Sequence, residues 1–186
     1  MNRTRLRQLT LTAICIALGV VLPVLFHSIP RSGQIFLPMH LPVLLAGLLA
    51  GPGWGMVAGI LTPLISTWIT GMPPIGPILF AMLFELAAYG LVSGLVFRFV
   101  RTKILVLDVY IALIVAMLAG RVVYGLVNAF IFSAGTGYGL QAWMTSSFVT
   151  GLPVIALQLV FVPLLYMVLA KAKLAPSRQL ADKQTA

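Results

Sequence analysis

The feature that most limits this chain is how far it runs without a charge. From Pro77 to Phe97 the one charged side chain is Glu85, and from Val109 to Ala170 it is Arg121. Crossing a hydrocarbon core of about 30 Å takes roughly 20 apolar residues in a helix. Inside lipid only helices and closed barrels satisfy their own backbone polar groups, and uninterrupted runs of this length select helices. Apolar runs predict six, at about 7–27, 37–50, 54–70, 76–100, 105–133 and 142–170. The block 37–70 is divided at Gly51-Pro52-Gly53, because glycine and proline together stop a helix and turn the chain. Composition agrees: 8% of the 186 residues are charged and 61% hydrophobic, whereas a soluble domain carries about 25% charged residues to cover its surface. The expected fold is an all-α integral membrane protein, a six-transmembrane-helix bundle forming one domain over 1–172. A short polar tail, 173–186, is expected to be disordered.

A net charge of +9 raises the possibility of a nucleic-acid partner, but the positions of the charges exclude it. Arg3, Arg5 and Arg7 precede the first run, Arg98, Arg101 and Lys103 share one connection, and Lys171, Lys173, Arg178 and Lys183 lie at the end. With alternating spans all of these fall on one side of the bilayer, the positive-inside pattern, so both termini are expected in the cytoplasm. The same residues would attract anionic lipid headgroups. The outer connections are then 28–36, 71–75 and 134–141. A single cysteine, Cys15, allows neither a disulfide framework nor a metal cluster, and no metal or cofactor is expected. The first run has the basic start of a signal peptide, yet no small-x-small cleavage site follows before Pro30, so it reads as a retained helix.

Ionisable residues inside a span are costly and mark function by default. Glu85 and Arg121 are the two deep ones. Either they pair with each other or they stand beside a site, and the two readings are compatible. Arg121, Tyr124 and Asn128 recur at i, i+3 and i+7 on one helical face, Glu85 shares a face with Tyr89, and Trp143, Ser147, Thr150, Val154 and Gln158 form a stripe on the last helix. Three such stripes turned inward would build a cavity open to the outer side, with aromatic walls and a few placed polar groups. Trp143 and Tyr138 fit an interfacial aromatic belt equally well. In the segment "SGQIFLPMHLPVLLAG", His40 stands near the outer start of the second helix, with Gln34 and Arg31 just before it. His40 suits either a headgroup or cap contact or a role above the cavity.

Close helix contact in a bilayer relies on small side chains. Ala46 with Ala50, Gly55 with Gly59 and Gly90 with Gly94 read as packing inside the bundle. Ala13 and Ala17 differ, since they follow basic residues on a smooth flank near the cytoplasmic surface. The stretch "RLRQLTLTAICIALGVVLP" resembles the opening of the substrate-binding S component of an energy-coupling factor (ECF) vitamin transporter. Length, six spans, inside termini, the basic start and the loop before "LPMHLPVLLAG" fit as well, over nearly the whole chain. The resemblance implies that Ala13 and Ala17 dock on the transmembrane coupling subunit, and that the first outer loop, with Arg31, Gln34 and His40, acts as a lid. It also implies two ATP-binding subunits as further partners, and residence in a prokaryotic plasma membrane.

By that resemblance the chain captures a vitamin or vitamin-like molecule outside and releases it inward on docking. Substrate-binding candidates are Glu85, Tyr89, Arg121, Tyr124, Asn128, Trp143, Ser147 and Gln158. Pantothenate, niacin or a vitamin B6 form would each suit them: Arg121 and Arg31 allow an anion, the aromatic residues a neutral ring. No GxxxxGK[ST] phosphate loop occurs, so ATP hydrolysis falls to separate subunits. An enzyme is not expected, because the histidines lie in the outer segment and Ser93 at the opposite end of its helix, leaving no Ser–His pair. The alternative is an autonomous ion-coupled secondary transporter, which would call for paired repeats around coupling-ion groups.

Overall fold

The computed structural model describes residues 3–26, 39–132, 152–172 and 175. Six helices account for nearly all of these: α1 Arg3–Phe26, α2 His40–Ala50, α3 Pro52–Thr70, α4 Pro77–Phe99, α5 Leu105–Phe132 and α6 Leu152–Lys171. Each expected run has become a helix, within a few residues of its expected ends where those ends are described. Four of them, α1, α4, α5 and α6, are long and apolar enough to cross a membrane. At 1.5 Å per residue α2 is only ~16 Å long, and α3 is interrupted by more glycine, proline and hydroxyl side chains. The expectation of a disordered tail lies outside the described residues, apart from Ala175.

The connections are built from the residues that divide the runs. Gly51 takes φ 95°, a left-handed value that a side chain resists, while its N–H still bonds Gly47 O at 3.0 Å. Pro52 then opens α3, where a missing N–H costs nothing. At the far end of α3, hydroxyls clamp the turn: Ser66 donates to Met72 O and Thr67 to Pro73 O, each at 2.8 Å. Between α4 and α5 the buried Asp108 carboxylate accepts from the Thr102 N–H at 2.7 Å and from the Thr102 hydroxyl. A carboxylate near the start of a helix also meets the positive end of its dipole.

Packing centres on α2 and α4. Every residue of α2 except Leu41 is buried, with α1, α3, α4 and α6 packed around it. An apolar helix of this kind is a core helix. α4 packs on α2, α3 and α5. A Cβ on Gly90 would sit 2.0 Å from Gly55 O, and one on Gly47 would sit 2.4 Å from Gly90 O. Thus α2, α3 and α4 meet backbone to backbone, as small residues permit. Ala46, Ala50, Gly55, Gly59, Gly90 and Gly94 all lie inside this assembly.

Hydrogen bonds and contacts fix which ends lie together. Gln8 donates to Ala50 O at 3.0 Å, joining the start of α1 to the end of α2. Arg7 donates to Ala175 O at 3.3 Å, bringing in the end of α6, and Gly94 lies against Pro52 at the start of α3. Arg3, Arg5, Arg7, Arg98, Arg101, Lys103 and Lys171 therefore gather at one end of the bundle. Among the described basic residues Arg121 alone is placed elsewhere.

Candidate functional site

Away from the basic end, three helices bring their polar residues into one buried group. Glu85 of α4 is 2% exposed and stands between two cations or potential cations. Its Oε1 lies 3.4 Å from Arg121 Nη1 of α5, and its Oε2 lies 3.7 Å from His40 Nε2 at the first residue of α2. His40 is completely buried, so the structure places it inside the bundle against α4. α2 and α4 run in the same direction, which is why His40 meets Glu85 and Tyr89 while Gly47 meets Gly90 and Gly94.

Tyr89, one turn after Glu85, completes the group. Its ring meets the His40 ring edge to face at 5.2 Å, and its hydroxyl lies beside Glu85. The room for that ring comes from Gly120, where a Cβ would fall 2.7 Å from Tyr89 Cε1. Sequence reasoning did not single out Gly120. The available signal was its position next to Arg121, since a helix that delivers a buried charge to an aromatic neighbour needs a small residue beside it.

The other candidates divide. Gln158 of α6 is 1% exposed, on a helix packed against α2 and α5, and its Nε2 has no hydrogen-bond partner among the described residues. Asn128 is buried, but its amide donates to Tyr124 O of its own helix at 2.8 Å, and Tyr124 is half-buried. Arg31, Gln34, Trp143 and Ser147 lie outside the described residues, as does Tyr138.

The group is polar beyond what it satisfies internally. Glu85 Oε1 and both nitrogens of His40 have no hydrogen-bond partner among the described residues. The contact from Arg121 is that of an ion pair held slightly apart, and His40 stands beside the other carboxylate oxygen. A buried polar atom left in this state costs about 1–3 kcal/mol, and a buried charge costs more unless paired. Such an arrangement recurs where a fold reserves capacity for a ligand.

A family model for the ECF transporter, substrate-specific component, matches residues 7–166. The chain belongs to this family. No curated relative and no solved structure matches it. As an ECF substrate-specific component it is a substrate-binding transport subunit and not an enzyme, and membership implies association with coupling and ATPase modules. It is a multi-pass membrane protein.

Two apolar surfaces of this ECF component lie apart from the polar group. On α1, Thr12, Cys15 and Gly19 face the bundle, while Leu6, Leu9, Ala13, Ile14, Ala17 and Leu18 are exposed. Between α4 and α5, Gly76, Pro77, Phe80, Phe84, Leu126, Val127 and Phe130 line an apolar groove of about 830 Å³. Phe80, Phe84 and Phe130 are more than half exposed, so this groove opens away from the bundle core and contains none of the polar group.

Proposed function

We propose that this ECF component captures a vitamin or vitamin-like small molecule from the outer side and delivers it inward on docking with the coupling subunit. The bundle crosses the membrane six times with both termini cytoplasmic, in a prokaryotic plasma membrane. Solute is held by Glu85, Tyr89, Arg121 and Gln158, with His40 from α2. Tyr124 and Asn128 follow Arg121 toward the outer end of α5, Trp143 and Ser147 complete the wall, and the first outer loop with Arg31 and Gln34 closes over it. Ala13 and Ala17 seat the coupling subunit, and two ATP-binding subunits drive the cycle.

The observation that supports this reading best is the buried His40–Glu85–Arg121 group, because ionisable residues at membrane depth are retained for function. Its under-satisfied atoms are what a binding site for a small polar solute requires. On α1, exposed small residues permit close approach of another membrane helix.

The test is a thermal-shift screen of the solubilised chain against B vitamins, followed by uptake in vesicles. Uptake of the stabilising vitamin should require the coupling and ATPase subunits together with ATP. Uptake by the chain alone, driven by an ion gradient, would overturn the proposal.

A further inference from the structure

The charge and hydrogen-bond inventory of the buried group restricts the chemistry of its solute. Resting on the capture reading above, we infer that the solute is uncharged where it meets this group and presents an N–H donor beside a carbonyl-type acceptor on a planar ring or amide. A free carboxylate does not fit that description.

Arg121 and Glu85 lie 3.4 Å apart and cancel, so the pair carries no net charge. An incoming carboxylate would compete with Glu85 for Arg121 and place two anions side by side in a buried site, where like charges strongly disfavour each other. A neutral solute leaves the Glu85–Arg121 pair in place. Burying a polar but uncharged group costs far less than burying an unpaired ion.

In the group, Glu85 Oε1 and His40 Nδ1 and Nε2 are buried without hydrogen-bond partners among the described residues, and on the neighbouring α6 so is Gln158 Nε2. A carboxylate oxygen only accepts, an amide nitrogen only donates, and a neutral imidazole does one of each. The unmet set therefore contains both signs, and a matching solute must offer both. A carboxylate group offers acceptors alone and would leave Glu85 Oε1 unsatisfied. A lactam, a primary amide or an amino-substituted nitrogen ring offers both from one edge. Tyr89, standing edge to face with His40 at 5.2 Å, supplies an aromatic wall suited to a flat partner.

The test compares matched pairs by calorimetry on the purified full chain in nanodiscs: nicotinamide against nicotinate, uracil against orotate, pantothenol against pantothenate. In each pair that binds, the neutral member should bind at least tenfold tighter. Gln158→Leu should weaken that member at least tenfold while leaving the unfolding temperature of the solute-free protein unchanged or higher, since no described hydrogen bond is lost. Equal or tighter binding of the carboxylate member overturns the inference and leaves the capture reading intact. If neither member of any pair binds to a chain that still assembles with the coupling and ATPase subunits, the inferred class fails. Loss of that assembly as well would remove the capture reading with it.

Discussion

Glu85 carries more of this molecule's electrostatics than any other side chain. It is the one described acid away from the basic end, and both His40 and Arg121 face it within 4 Å. Removing one member of a buried ion pair strands the other, at a cost of about 3–5 kcal/mol. Glu85→Ala should therefore lower stability by about that amount, read as a reduced unfolding temperature in detergent, and Arg121→Ala should do the same. The double change Glu85→Leu with Arg121→Leu should recover most of the loss, because an apolar pair of similar volume is often no less stable than a buried ion pair. Solute binding should stay absent in the double variant. That split separates a structural pair from a binding group: recovery of both properties together would assign the pair to architecture alone. Gly120 offers a second test at this scale. Gly120→Val pushes into the fully buried Tyr89 ring, and overpacking of this kind costs about 1–3 kcal/mol. A melting temperature unchanged from the parent would show that the ring can move aside.

At the scale of helices, the runs and their breaks were legible because two physical signals coincide. Long uncharged segments can only be helices in lipid, and Gly51-Pro52 forces a turn wherever it falls. The Glu85–Arg121 pairing was legible too, since two opposite charges at similar depth have few alternatives. Two features were not. An apolar helix fits lipid and protein interior alike, so nothing in "HLPVLLAGLLA" announced that α2 is enclosed on nearly all sides. His40 reads as the outer start of this helix, suited to a cap, headgroup or lid contact, yet the helix turns it inward onto α4. The small-residue pairs show why facing matters: Gly55 and Gly90 lie in backbone contact, whereas Ala13 and Ala17 are exposed. Gly90→Leu should accordingly abolish folding, seen as loss of the monodisperse peak in size exclusion. Ala13→Trp with Ala17→Trp should leave the solute-induced thermal shift intact and eliminate co-purification with the coupling subunit. Normal yield of the complex would remove these alanines from the interface.

Across the whole molecule, the direction of each helix follows from the shared basic end. α1, α3 and α5 leave it and α2, α4 and α6 return to it, so the turn at Gly51–Gly53 and the connection at Arg101–Lys103 belong on one side, with the turn at Met72–Ile75 on the other. The short α2 makes this worth testing. At ~16 Å it spans only about half of a 30 Å core, and it reaches the basic end because His40 starts below the opposite surface, level with Glu85. A re-entrant hairpin of α2 and α3 would instead leave four crossings, the number of helices that are long and apolar enough on their own. Single cysteines in a Cys15→Ser background distinguish the two. Gly53→Cys is tolerable because no atom lies within 4 Å of a Cβ there, Lys103→Cys is exposed, and Ile75→Cys replaces a side chain that is 84% exposed. With a membrane-impermeant maleimide on intact cells, Ile75→Cys should react while Gly53→Cys and Lys103→Cys react only after permeabilisation. The basic residues beside the two shielded positions would hold that end on the cytoplasmic face. Reaction of Gly53→Cys from outside, with Lys103→Cys still shielded, would reduce the bundle to four crossings and detach the α2–α3 turn from the cytoplasmic surface.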